Sequence, residues 1–215
     1  EFERVKTSAS ITIPDIDYYS GDTISAQLSA EYLAGGALSG ASYSGSWYKE
    51  AEQISFDTKE AKGYTFGPDI YSYRTYYSDT DGKLNGEGKA SLTCNSEKIT
   101  DGSTYIYRLE AAVTDVSNQR ISTQSQLLVH PAKFYAGLKS ERQGGGFAKK
   151  EAKLDFSYLL TDVRGNMLDS LKKVSSLEYK LTREEWTMVN EQSVDNSLYT
   201  RYERQDVEET AGQVD

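Results

Sequence analysis

Cysteine, histidine, methionine and proline are nearly missing from this chain of 215 residues, which holds 1 Cys, 1 His, 2 Met and 3 Pro. A single cysteine excludes an internal disulfide, and with it a disulfide-stapled scaffold and a cysteine-ligated zinc site. A single histidine excludes a multi-histidine metal site, and no catalytic triad can be built around it without further partners. Few prolines and 17 glycines exclude a fibrous or low-complexity chain. No apolar run approaches the ~20 residues that a helix needs to cross a bilayer. No signal peptide is visible, but a mature or excised chain would lack one, so a cytosolic home does not follow. The net charge is −9, divided as −7 up to Pro131 and −2 beyond it. Neither half is basic, which argues against nucleic acid or an anionic membrane surface as partner.

What the chain has in excess is tyrosine, with 17 copies. Tyr favours strands, and its hydroxyl reaches water from a half-buried ring. Period-two alternation is the dominant pattern. The central stretch is residues 104–129. Tyr105, Tyr107, Leu109, Ala111 and Val113 share one side, with Thr104, Arg108, Glu110 and Thr114 on the other. Residues 115–120 are rich in turn formers, and Ile121, Leu127 and Val129 then share a face. That is a hairpin, and a lone hairpin is unstable in water, so the rest of this half must cover it. Residues 1–13 form a first strand, with Ile11 and Ile13 as its apolar positions. Residues 23–32 alternate most cleanly, with Ile24, Ala26, Leu28, Ala30 and Tyr32 on one side. Gly35-Gly36 marks a tight turn, and residues 42–50 put Tyr43 and Trp47 on a common face. Residues 50–81 read as a long connection with one or two short strands, with Asp79-Thr80-Asp81-Gly82 as a turn. Residues 89–94 point Ala90, Leu92 and Cys94 inward.

A second unit begins near Ala132. Residues 134–138 form a strand, and residues 153–160 alternate with Leu154, Phe156, Tyr158 and Leu160 inward. Residues 174–182 place Leu177, Tyr179 and Leu181 on one face, Trp186 caps that core, and the signal fades after Asn190. Each half carries a strand ending in Thr-Asp before a turn, at Thr114-Asp115 and Thr161-Asp162. Many short strands with turns between them predict an all-β protein of tandem antiparallel β-sandwich domains, residues 1–131 and 132–215. The second, with 84 residues, is shorter than the ~100 of such sandwiches, so it is expected to lack its last strands and leave an open edge.

The order of several segments resembles the alpha-2-macroglobulin family. The strand ending at Pro14, Tyr19-Ser20-Gly21-Asp22, and the run from Ala30-Glu31-Tyr32 through Gly35 to Gly40-Ala41 resemble its strand, Gly-Asp, strand, Ala-x-Tyr-x-x-Gly pattern. Ala37 stands where that family usually has proline. The segment from Asp81-Gly82 to Leu92 is similar to a further strand of the family, and Tyr107-Arg108-Leu109-Glu110-Ala111-Ala112-Val113-Thr114-Asp115 to its Tyr-x-apolar-x-Ala-x-Val-Thr-Asp strand. Phe134-Tyr135-Ala136-Gly137-Leu138-Lys139 and Leu181-Thr182-Arg183-Glu184-Glu185-Trp186 resemble segments of bacterial members. The resemblance implies two consecutive macroglobulin-like, fibronectin-III-like domains, about the third and fourth of a series, within a periplasmic, cell-envelope or extracellular protease trap. It implies neighbouring domains of the same polypeptide as partners, and target proteases for the intact parent only. The family's Cys-x-Glu-Gln thioester is not met at Cys94, which is followed by Asn95-Ser96-Glu97 without the glutamine.

No catalytic, cofactor-binding or metal-ligating residue can be singled out, and no cofactor is expected. Cys94 reads as a small buried hydrophobe, since no cation or helix start stands by to activate it. His130 reads as a strand end at the domain junction. Asp79, Asp81 and Asn85 fail the calcium-loop spacing because Lys83 occupies the third ligand position, leaving a solvated turn. Gly144-Gly145-Gly146 lacks the Lys-Ser/Thr of a phosphate loop and reads as a hairpin tip. Tyr64, Tyr71, Tyr73, Tyr76 and Tyr77 have two readings: a platform that stacks sugar or grips peptide, or a loop packed on the edge of its own sandwich. The platform corresponds to the second functional expectation, a surface carbohydrate-binding or adhesive module.

Overall fold

The computed structural model describes residues 7–70, 72–141, 153, 155–168, 177–192 and 198–214. Among them there is no helix. Nine strands build the first part of the chain: β1 Thr7–Thr12, β2 Tyr18–Tyr19, β3 Thr23–Tyr32, β4 Ser42–Glu52, β5 Thr65–Phe66, β6 Thr75–Lys83, β7 Lys89–Asn95, β8 Thr104–Thr114 and β9 Arg120–His130. Four follow: β10 Phe134–Ser140, β11 Phe156–Asp162, β12 Leu177–Gln192 and β13 Leu198–Val214.

Two sheets form a sandwich. One has the order β1-β3-β7; the other runs β2-β9-β8-β4-β6. All pairs are antiparallel except the short β2–β9 pair. The alternating residues meet between the sheets. Ile24, Leu28, Trp47, Leu92, Leu109, Val113 and Val129 have no exposed surface. Each fully buried side chain of this size is worth about 1.5–3 kcal/mol of burial, and both sheets contribute to it, through β3 and β7 on one and β4, β8 and β9 on the other. Thr104, expected on the wet side of β8, is also buried. The reason lies in the joint described below.

Three turns share one hydrogen-bond pattern. Asn85, Asp115 and Asp162 each accept two backbone N–H groups on side-chain Oδ1, from residues two and four further on, at 2.8–2.9 Å. The residue three further on is left-handed: Gly88 at φ 72°, Asn118 at φ 60° and Gly165 at φ 83°. Such side-chain bonds replace the backbone bonds that a chain reversal forfeits. The Thr-Asp pair at the end of β8 and at the end of β11 therefore starts the same turn twice.

The turn expected at Asp79-Thr80-Asp81-Gly82 is instead the second half of β6. Asp79 pairs with Ser46 and Asp81 with Ser44 of β4. The Ser46 hydroxyl donates to Asp79 at 2.7 Å. Carboxylates are tolerated there because β6 is an edge strand with a solvated face, where charge discourages pairing with other chains. Gly82 is needed flat rather than in a turn: a Cβ there would lie 2.9 Å from the Tyr43 hydroxyl. The reversal falls at Asn85–Gly88.

Beyond the sandwich, β10 and β11 pair antiparallel, and β5 adds to the free side of β10. The cores divide near residue 131. The sandwich core draws on residues up to Val129, while a second cluster joins Ile54, Phe56, Ala61, Tyr64 and Phe66 to Tyr135, Leu159 and Val163. Compactness divides elsewhere, into Glu1–Met167 and Leu168–Asp215, because β5 ties β10 to the first part. On β11 the buried side chains are Leu159, Leu160 and Thr161; Phe156 and Tyr158, expected inward, are half-exposed. The second cluster takes the Leu159–Thr161 face, since Gly137 and Tyr135 pair across to those residues. Leu154 and residues 144–146 lie outside the described residues.

The second unit holds a ribbon of β12 and β13, paired from Leu177–Val214 to Gln192–Leu198. The expected fading after Asn190 is thus a long strand whose polar composition hid it. Trp186 does not cap a core: it is 62% exposed on the ribbon, opposite Arg204. A two-stranded ribbon has no second layer of its own to bury a ring.

Replacing Asn85 with Ala removes two hydrogen bonds from the β6–β7 turn and is expected to cost about 1–2 kcal/mol in urea unfolding. Asp81→Asn, in the strand, is expected to stay within about 0.5 kcal/mol. Equal effects would restore the turn to residues 79–82.

Candidate functional site

The tyrosines of residues 64–77 are distributed among three places. Tyr76 and Tyr77 sit at a bulge of β6, where Tyr76 pairs with Tyr48, Ser78 pairs with Trp47 and Tyr77 is the extra residue. Tyr77 faces the core, edge-on to Tyr107 at 5.3 Å, and its hydroxyl donates to the Asn95 carbonyl at 2.6 Å. Tyr64 belongs to the second cluster, 6.4 Å from Phe66, with the Lys139 ammonium 5.6 Å from its ring centre. Tyr73 and Tyr76 point to solvent, at 80% and 59% exposure. Tyr71 lies outside the described residues.

Tyr76 borders the outer face of the five-stranded sheet. The register aligns Tyr76, Tyr48, Arg108 and Gln126 in one row, then Asp79, Ser46, Glu110 and Gln124, then Asp81, Ser44, Ala112 and Ser122. Small side chains in the last two rows leave an open groove of about 380 Å³. Tyr48, on its rim, has one face occupied. The Arg74 guanidinium stacks 3.9 Å from the ring centre and pairs with Glu110 at 2.6 Å. Tyr76 stands edge-on to Tyr48 at 6.3 Å. The groove therefore offers the hydroxyls of Ser44, Ser46, Ser122 and Thr123, the Gln124 amide, the Glu110 carboxylate and the Arg120 guanidinium; the exposed rings of Tyr73 and Tyr76 are not part of its lining. Arg74 and Tyr48 carried no signal in the sequence, because their contact depends on the register of β4 against β6.

His130 has a more specific setting. It is buried where β9 ends, with Nδ1 2.7 Å from the Tyr135 hydroxyl of β10. That hydroxyl lies 2.6 Å from Oγ1 of Thr104, at the start of β8. Each of the three groups can donate one bond and accept another, so the chain is satisfied with a neutral ring. Burial holds the His130 pKa below its ordinary 6.5, with Asp17 opposing. A nucleophile in reach of this imidazole would be needed for catalysis, and the Tyr135 hydroxyl that meets it is itself buried and bonded to Thr104. The arrangement joins strands; it presents no group to a substrate. Tyr135 and Thr104 escaped the sequence reading because a buried Thr on the polar side of a strand has no local signature.

Cys94 is buried among the sandwich core residues, and burial pushes its thiol up to about 11, against a weaker pull from Ser78. Asp79 and Asp81 extend from β6, and among the described residues no three His, Cys, Asp or Glu side chains cluster to hold a metal ion. Asp101 and Asp162 have lowered pKa values. For Asp101 the Ser103 backbone N–H is the main cause, and for Asp162 bonds from Asn166 and Arg164 outweigh burial. Both serve turns.

No protein-family model matches the chain, and a comparison with curated proteins finds no match. Solved structures do match. Salmonella alpha-2-macroglobulin reacted with methylamine superposes with a TM-score of 0.68 at 13% identity, covering 100% of this chain and 14% of that one. Native Escherichia coli alpha-2-macroglobulin gives 0.65 at 13% identity, with the same coverage. The E. coli protein activated by porcine elastase gives 0.66 at 13% identity, over 99% of this chain and 20% of that one. At such identities the likeness establishes a macroglobulin-like β-sandwich fold. The chain spans about a seventh of the length of the first of these structures.

Two solution measurements follow. Because the folded state binds a proton at His130 less readily than the unfolded chain, stability rises with pH up to the unfolded value of 6.5 and falls as pH drops below it. His130→Gln is expected to flatten the slope of unfolding free energy between about pH 5 and 6.5, where Asp101 and Asp162 stay ionised; an unchanged slope would place the titrating group elsewhere. At pH 8 a thiol of pKa about 11 is roughly one-thousandth thiolate. Cys94 is thus expected to react with a disulfide reagent only in denaturant, and fast labelling of the native chain would contradict its burial.

Proposed function

We propose that this chain is a non-catalytic scaffold portion of a bacterial alpha-2-macroglobulin-like protease trap, acting in the periplasm or cell envelope. The observation that carries it is the superposition of the entire chain on one stretch of much longer bacterial alpha-2-macroglobulins. Two macroglobulin-like sandwiches, residues 1–131 and 132–215, are the proposed division. The closed core that ends at Val129 supports it, as does the same Asx turn following β8 and β11. The second sandwich is proposed to be incomplete within these residues. Its partners are the neighbouring domains of the same polypeptide, and proteases meet only the intact parent. The scaffold's task is to hold position and transmit a conformational change, which fits side chains committed to packing rather than to chemistry.

A second function, a surface module that binds carbohydrate or adheres, is favoured by the exposed rings of Tyr73 and Tyr76. One pair of measurements separates the two. At equimolar amounts the isolated chain is expected to leave trypsin and elastase activity on a protein substrate unchanged, and to bind no sugar on a glycan array. Inhibition by the chain alone would overturn the scaffold role. Glycan binding that disappears in Tyr73→Ala and Tyr76→Ala would establish the module instead.

A further inference from the structure

We propose that the junction after His130 is a rigid clamp and not a hinge, with Tyr135 on one side and the Phe56–Phe66 arm on the other. This does not rest on the protease-trap function; it stands on contacts within the first compact unit. Two strands that follow one another across a short linker ordinarily leave their domains free to swing. Here residues 131–133 are all that separates β9 from β10.

The linker is bridged on its own side by Tyr135. Its hydroxyl meets His130 at 2.7 Å and Thr104 at 2.6 Å, so β10 is bonded to the ends of both β8 and β9. All three side chains are buried. Swinging β10 away would leave three polar groups without partners before water reached them, which is the costly direction for buried groups.

The other side is held by the connection between β4 and β6. That connection does not stay on its own sandwich. It sends β5 out to pair with β10, Phe66 opposite Gly137 and Thr65 opposite Leu138. The Gln53 amide donates to the Phe66 carbonyl at 2.7 Å and fixes the arm to the end of β4. Two rings then rest directly on backbone. A Cβ at Gly137 would come within 2.4 Å of the Phe66 ring, and one at Gly165 within 2.6 Å of Phe56. Phe56 also stands edge-on to Phe66 at 4.9 Å and to Tyr135 at 5.7 Å. Thr58 donates to the Gly165 carbonyl at 3.1 Å. The arm thus grips both β10 and the turn after β11, and its ring contacts meet the Tyr135 bridge in a single buried cluster. The exposed Arg164–Asp17 pair at 3.4 Å adds little.

Interdomain rigidity can be read as a distance distribution. Nitroxide labels at Ser91→Cys on β7 and Asp155→Cys before β11, in a Cys94→Ala background of the whole chain, report across the junction. Labels at Ser91→Cys and Ser122→Cys report within the sandwich. Pulsed dipolar spectroscopy is expected to give one narrow distance across the junction, no wider than the distance within the sandwich. A broad or two-peaked distribution in this otherwise unaltered chain overturns the clamp. Phe66→Ala and Tyr135→Phe are each expected to broaden the cross-junction distribution while the sandwich distance stays narrow. Should Phe66→Ala also spread the sandwich distance, Gly137→Ala, which only displaces the Phe66 ring, takes its place. A junction that stays narrow in Tyr135→Phe and in whichever arm variant keeps its sandwich intact would remove these residues as its cause.

Discussion

The inward face of β8 is the constraint that the first sandwich obeys. Tyr107, Leu109, Ala111 and Val113 are all buried, and β8 is flanked by β4 and β9 across its whole length. A central strand paired on both sides cannot slip by one residue without turning this face to water. Its register therefore sets that of β4, which sets β6, and the depth at which β3 and β7 pack from the opposite sheet. Gly45 shows how tightly this is drawn: a Cβ there would meet Leu92 and Leu109 side chains at 3.2 and 3.4 Å.

What the sandwich does not need, it exports. Among the described residues, the β4–β6 connection contributes nothing to the first core, yet Phe56 and Phe66 belong to the second cluster. A segment that would be a surface loop in an isolated domain becomes part of the next sheet. The ring contacts thus tie β10 and the turn after β11 to the chain that precedes them. The glycines at 137 and 165 are the complementary surfaces, bare so that rings can lie on them.

The outer surfaces differ in kind. The exposed face of the five-stranded sheet is polar, and its edge strand carries Asp79, Asp81 and Lys83, which discourage strand addition. The outward face of β10 and β11 is apolar, with Phe134, Leu138, Phe156 and Tyr158 each about half exposed. The former reads as a surface made for solvent. The latter has the alternation of a sheet with one face packed on a core and a second, apolar face left half-exposed.

Alternation is a local property, and so the strands of the first sandwich, the inward residues of β3, β7 and β8, and the turns at Gly35-Gly36 and Asp115–Arg120 were legible from residue order alone. Turn chemistry was less so. Asp79-Thr80-Asp81-Gly82 and Asn85-Gly86-Glu87-Gly88 have similar composition, and only the pairing of β6 with β4 decides which of them bends. The tyrosines between residues 64 and 77 looked like one cluster because they are close in sequence; the bulge of β6 and the outward course of β5 separate them. The start of β12 was legible at residues 174–182, but β13 was hidden because the apolar alternation fades after Asn190. What the sequence determined by itself is an all-β chain with a closed first sandwich, since burying one face of each strand requires only period-two order. What the tertiary structure alone decided is the joint. Phe66 and Gly137, or Thr104 and Tyr135, are brought together across long stretches of chain, and nothing in the neighbourhood of either residue states its partner.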